Sequence, residues 1–87
     1  SMLAQVDDML SKPVLMKDAN HKSTILLYSL GKEKIEITGM NGKVTEILLT
    51  GNVLPGVNIL SLGKDLSGYK SVKISFKSSH KEVELKL

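Results

Sequence analysis

The sequence contains no cysteine, no arginine and no tryptophan, and only three of its 87 residues are aromatic. Without cysteine the chain forms neither a disulfide framework nor a thiolate metal site, so its stability must come from packing. Arginine binds phosphate and guanine through paired hydrogen bonds, and aromatic rings stack against bases and sugars. Their scarcity argues against recognition of nucleic acid or carbohydrate.

The charge and hydrophobic content are those of one small folded domain. All twelve basic residues are lysines, and nine acids reduce the net charge to +3. Hydrophobic residues make up 41% of the chain and charged residues 24%, an ordinary balance for a packed core. No apolar run approaches the roughly 20 residues that span a bilayer, so we expect no membrane insertion.

Short alternating runs, spaced about ten residues apart and separated by turn residues, predict the fold class. No strand-helix alternation interrupts them, which favours an all-β, antiparallel, Ig-like β-sandwich and a monomer. We place this domain at residues 20–87. Residues 1–19 are either a short helix, because Leu3, Val6 and Met9 fall at helical spacing before Pro13, or a linker.

The strongest local signal is a hairpin around Asn41-Gly42. A three-residue loop, residues 40–42, with a left-handed glycine at its end would set Ile35 opposite Ile47 and Ile37 opposite Thr45. Further turns are predicted at Pro55-Gly56, as the central pair of a type II turn, and at residues 65–68, which include Gly68.

A terminal hairpin with a four-residue loop at residues 78–81 would pair Phe76 with Val83, Ile74 with Leu85 and Val72 with Leu87. The alternation then assigns the core to twelve apolar residues. They are Ile25, Leu27, Ile35, Ile37, Ile47, Leu49, Ile59, Val72, Ile74, Phe76, Val83 and Leu85.

No arrangement of residues predicts catalysis or a cofactor. Asp7 and Asp8 are adjacent and would diverge on a helix, so they do not form a catalytic carboxylate pair. His21 and His80 lie in polar surroundings without a partner at metal-ligand spacing. The glycines occur singly at turns and form no phosphate-binding loop. We therefore expect a non-enzymatic protein that binds neither a metal nor a cofactor.

The order of the motifs resembles one protein family. The apolar run 24–30 and the alternating run 34–37 come first, followed by Asn41-Gly42-Lys43-Val44 and by the Pro55-Gly56 turn within residues 54–60. Then come Leu66-Ser67-Gly68-Tyr69, the run 72–74 and a final strand that contains lysine. Over residues 20–87 this order resembles the C-terminal sorting domain of the type IX secretion system of Bacteroidota.

The resemblance implies an Ig-like domain of an exported protein, recognised by an outer-membrane translocon and removed by a sortase-like peptidase. It also implies a secreted or cell-surface location reached through the periplasm, with any signal peptide outside this sequence. Two alternatives stay open: an extracellular interaction or spacer module of a larger protein, and an intracellular sandwich that captures peptides along a sheet edge.

If sorting is the function, the terminal hairpin is the expected recognition site. The predicted register turns Val83, Leu85 and Leu87 inward and leaves Glu84 and Lys86 exposed. We therefore predict Lys81, Glu84 and Lys86 as recognition residues, while Asn41, Gly42, Pro55, Gly56 and Gly68 hold the turns. The alternative is that these charges only protect a sheet edge from pairing.

Overall fold

The computed structural model describes residues 12–87 and contains seven β-strands in this part of the chain. The predicted N-terminal helix, which would precede residue 12, lies outside the described residues. In chain order the strands are β1 (Val14–Lys17), β2 (Ser23–Ser29), β3 (Glu33–Asn41), β4 (Val44–Val53), β5 (Gly56–Ser61), β6 (Ser71–Phe76) and β7 (Lys81–Lys86).

The strands form two antiparallel sheets, which confirms the predicted all-β sandwich. One sheet has the order β1-β2-β5 and the other the order β4-β3-β6-β7. Apolar side chains from both sheets make a single core between them. Strand β1 pairs with β2, so the sandwich begins before residue 20, the predicted start of the domain.

The directions of the strands place the two ends of the described chain at opposite ends of the sandwich. All pairings are antiparallel, so β1 runs with β5 in one sheet and β7 runs with β3 in the other. The short connections at residues 30–32 and 54–55 reverse the chain between the sheets, which gives β1, β3, β5 and β7 one common direction. The loops after β2, β4 and β6 therefore lie at one end, called here the proximal end, where β1 also begins. The loops after β1, β3 and β5 lie at the distal end, where β7 finishes.

The core confirms most of the predicted set but corrects it on two strands. Ile47 on β4 and Ile59 on β5 are 63% and 72% exposed, so their assignment to the core was wrong. Leu49 and Val83 are partly buried and pack against the core. Three residues absent from the prediction complete the buried cluster, and they lie at strand ends and in the loop after β5. They are Val53, Leu62 and Leu66.

The predicted register of the β3–β4 hairpin was wrong. Asn41 pairs with Val44, so the loop contains only Gly42 and Lys43, with glycine first at φ +63°. A positive φ at the first of two loop residues is the requirement of a type II′ turn, and glycine meets it without strain. A bulge beyond Ile37, which pairs with Leu49, then shifts the register so that Ile47 lies opposite Thr38 and faces outward.

The predicted register of the β6–β7 hairpin was wrong by two residues. Phe76 pairs with Lys81, Ile74 with Val83 and Val72 with Leu85, and the loop comprises residues 77–80. A shift of two residues keeps each side chain on its predicted face, because side chains alternate with a period of two. Only the end of the strand changes: Leu87, predicted to face inward opposite Val72, is 48% exposed.

Candidate interaction edge

Strand β7 is an edge of the four-stranded sheet, and within residues 12–87 it pairs only with β6. The N–H of Leu87 donates to the carbonyl of Lys70 at 3.0 Å, which continues the ladder by one pair. In an antiparallel ladder successive residues turn their backbone groups alternately toward and away from the partner strand. The N–H and C=O groups of Glu82, Glu84 and Lys86 therefore point away from β6, toward the open edge.

The side chains of these same three residues lie on the outward face of the sheet, opposite Val83 and Leu85. All three are exposed. On the neighbouring strand, the Nζ of Lys73 lies 3.7 Å from a carboxylate oxygen of Glu82, and Lys73 is directly opposite Glu84 in register. The edge thus combines unpaired backbone groups with a mixed row of charges, which suits recognition by strand addition.

The structure brings two of the three predicted recognition residues together and separates the third. Glu84 and Lys86 are two residues apart on the outward face, as the sequence predicts. Lys81 has the opposite parity and lies at the start of β7, with its Nζ 5.9 Å from the centre of the Phe76 ring. It borders a shallow hollow of about 180 Å³ between β6, β7 and their loop. Lys81 is therefore not part of the outward row.

A contact that the sequence did not predict ties the β6–β7 loop to β3. The carboxylate oxygen Oε1 of Glu33 accepts hydrogen bonds from the backbone N–H of Ser79 at 2.6 Å and from its hydroxyl at 2.9 Å. The backbone hydrogen bond from Ser79 is the main cause that holds the pKa of Glu33 below its ordinary value. Sequence patterns carried no sign of this contact, because the two residues are 46 positions apart.

The lowered pKa of Glu33 makes one contribution to stability depend on pH. A carboxyl group whose pKa is lower when folded stabilises the fold above its unfolded pKa and loses this effect as the pH falls through the folded pKa. We expect Glu33→Gln to lower the melting temperature at pH 7, and the difference from wild type to shrink as the pH falls below 4.5, the ordinary value.

Thermal melts between pH 7 and pH 2 measure this effect. Glu84→Gln removes an exposed carboxylate from the same sheet and controls for the change in net charge. A constant difference between Glu33→Gln and wild type over this pH range would contradict the assignment of the hydrogen bond.

The predicted turn residues occupy the connections, though not all in the predicted roles. Asn41 ends β3 and lies just outside the hairpin loop, whereas Gly42 begins the loop. Pro55 lies between β4 and β5, and Gly56, the first residue of β5, has φ +98°. Gly68 lies in a turn closed by a hydrogen bond from the N–H of Tyr69 to the carbonyl of Leu66 at 3.0 Å. These turns position strands but bring no reactive groups together.

The two histidines lie at opposite ends of the sandwich. His21 is in the β1–β2 loop and His80 in the β6–β7 loop, both with positive φ, at 60° and 58°. Among residues 12–87, no group of three or more metal-binding side chains comes together. The same residues include no helix that could span a membrane.

No family model, curated protein or solved structure shows significant similarity to the chain. The interpretation of function therefore depends on the geometry of the β7 edge and on the order of motifs in the sequence. Within the described residues, that edge presents backbone donors and acceptors without a strand partner beside Glu84 and Lys86, an arrangement that strand addition uses.

Proposed function

We propose that the domain is a non-catalytic sorting or targeting module of an exported protein, recognised by a protein partner along β7. The observation that carries the proposal is the open edge at Glu82, Glu84 and Lys86, where outward backbone groups and exposed charges coincide. The order of turn and strand motifs supports the same function. A partner strand could pair with this edge and leave Val83 and Leu85 in the core.

The proposed partner follows from the resemblance to type IX sorting domains. It is an outer-membrane translocon that reads the edge, with a sortase-like peptidase acting afterwards, and the exported protein reaches the cell surface through the periplasm. The chain itself supplies the binding edge and performs no chemistry. The charged row on the outward face would set the orientation of the partner and exclude strands of the wrong charge pattern.

A proline substitution at Glu84 tests the edge without removing the strand. Because the N–H of Glu84 points away from β6, Glu84→Pro removes one donor from the open edge and leaves the ladder hydrogen bonds of Val83 and Leu85 in place. We expect a reporter fused to the domain, in a cell with type IX secretion, to lose most of its surface delivery with Glu84→Pro.

The matched control is Glu84→Thr, which removes the charge but keeps the backbone donor. It should retain surface delivery if backbone pairing supplies the recognition. Circular dichroism and a thermal melt of each variant establish that the fold is intact. Normal surface delivery of the folded Glu84→Pro variant would show that the β7 edge is not the signal.

A second candidate function, a spacer or interaction module of a larger protein, is favoured by the direction of the terminal strands. The chain enters the sandwich at the proximal end and leaves it at the distal end. This layout separates neighbouring segments by the length of the domain, whether outside the cell or inside it. A reporter that stays in the periplasm with both the wild-type domain and Glu84→Pro would favour this function over sorting.

A further inference from the structure

The outward face of the three-stranded sheet is apolar and carries no charge. This face has eight positions on β1, β2 and β5. Apolar or aromatic residues occupy six of them, and residues with a hydroxyl group occupy the other two. The register places Val14 beside Leu26, Leu26 beside Ile59, and Tyr28 beside Val57. Several of these side chains are exposed: Ile59 by 72%, Val57 by 56% and Met16 by 51%.

The outward face of the four-stranded sheet shows the opposite chemistry. It carries the ion pair of Lys73 with Glu82, and Glu36 on this face lies 3.9 Å from Lys77. Antiparallel sheets with one face in water show this polar pattern, whereas a continuous apolar patch marks a surface that another element covers. The contrast between the two sheets identifies the outward face of the three-stranded sheet as the surface that another element covers.

We propose that a second copy of this chain covers the apolar face, so that two three-stranded sheets pack face to face. The proposal goes beyond the β7 edge, which lies on the other sheet and stays accessible. It differs from the monomer that the sequence predicts. Sheet-on-sheet packing at about 10 Å is the same packing that forms the domain's own core.

The face has a hollow on one side and the Tyr28–Val57 pair on the other, an arrangement that a two-fold rotation can match to itself. A hollow of about 500 Å³ lies toward the distal end, and its lining combines Met16, Thr24, Leu26 and Ile59 with the oppositely charged Lys17 and Asp18. Tyr28 and Val57 pair with each other two residues closer to the proximal end, where they stand beside the hollow. A two-fold axis through the face would place the Tyr28–Val57 pair of each copy in the hollow of the other copy. Such a contact, in which both copies use the same surface, is isologous.

The available area and charge also suit a second copy. The four most exposed side chains of the patch offer roughly 100 Å² each and the two partly buried ones less, so the patch offers roughly 500 Å² in each copy. Two copies would then bury roughly 1,000 Å², the lower limit for a specific interface, which predicts a reversible dimer. No lysine belongs to the eight outward positions, so the net charge of +3 does not place like charges opposite each other at the centre of the contact.

Sedimentation equilibrium of the full chain over a concentration series tests the proposal, with Ile59→Lys as the disrupting variant. We expect the wild-type mass to rise with concentration toward twice the 9.5 kDa of one chain. Ile59→Lys should raise the dissociation constant at least about tenfold, because it places two charges in an apolar contact. Since Ile59 is exposed, the variant should keep its fold.

The matched control is Ile47→Lys, the same change at an isoleucine that is 63% exposed on the outward face of the other sheet. It should dimerise as the wild type does. If both variants weakened dimerisation equally, the added charge, and not this face, would control association.

A wild-type chain that stays monomeric throughout the series would overturn the proposal. If that monomer melted at a lower temperature with Ile59→Lys but not with Ile47→Lys, another part of the same chain would be the occupant. If neither variant changed the melting temperature, the face would belong to a different protein.

Discussion

Ile74→Ala is expected to lower the free energy of unfolding by about 2–5 kcal/mol, the cost of an isoleucine cavity in a core. Ile74 is fully buried on β6, and in register it lies between Ile37 on β3 and Val83 on β7. The two flanking strands hold the backbone in place, so neighbouring side chains cannot collapse fully into the space. For a domain of this size the loss corresponds to a fall in melting temperature of roughly 10 °C or more.

The matched control for this cavity is Ile47→Ala, which removes the same atoms from a side chain that is 63% exposed. Its expected effect is within about 0.5 kcal/mol of zero. Chemical denaturation of both variants measures the difference. Similar losses at Ile74 and Ile47 would show that the sheet is not packed as described.

Gly39→Ala is expected to destabilise the domain by about 1–3 kcal/mol, as overpacking of a closed site does. A Cβ at Gly39 would lie 2.8 Å from both Cδ1 and Cε1 of Tyr69, closer than side chains approach each other. The tyrosine is not able to move aside without cost. Its hydroxyl donates to the carboxylate of Glu46, and its ring packs against the core near Lys64.

Gly51→Ala on β4 is the control for the general effect of adding a methyl group to a strand glycine. No atom lies within 4 Å of the position its Cβ would take, so the change should be neutral or slightly stabilising. Combining Gly39→Ala with Tyr69→Ala should cost less than the sum of the two single changes, because the clash disappears with the ring. Additive losses in this double-mutant cycle would contradict the contact.

The alternation of apolar residues was sufficient to predict which face each side chain of β6 and β7 occupies, but not their register. Loops of residues 78–81 and 77–80 have the same length and differ only in where the chain turns. His80 takes a positive φ that glycine normally supplies, so no glycine marks the position of this turn. The predicted faces of the side chains were right because the register error was two residues, an even number.

On β4 the same argument failed because alternation is interrupted. The bulge beyond Ile37 adds one residue to β4 and reverses the faces on one side of it, which turns Ile47 outward and leaves Leu49 partly buried. A bulge in a run as uniformly apolar as residues 47–49 leaves no mark in the pattern. Ile59 failed for a different reason: β5 alternates regularly, but its outward positions include Val57 and Ile59, whereas Leu60 is the only large apolar residue among its inward positions. The apolar pattern of this strand therefore indicates the wrong face.

The edge position of β7 and the outward placement of Glu84 and Lys86 could be predicted from the terminal hairpin alone. The position of Lys81 could not, because it depends on the register. The contact between Glu33 and Ser79, and the ring of Tyr69 over Gly39, depend on how distant strands come together. Such contacts follow from the three-dimensional arrangement and have no local sequence pattern.

The placement of the two terminal strands has a mechanical consequence. Because β1 begins at the proximal end and β7 finishes at the distal end, tension between neighbouring segments would pull both strands along their own axes. The hydrogen bonds of the β1–β2 and β6–β7 ladders would then carry the load together in shear, not one after another as in unzipping. A domain connected in this way resists extension until an entire edge strand slides free.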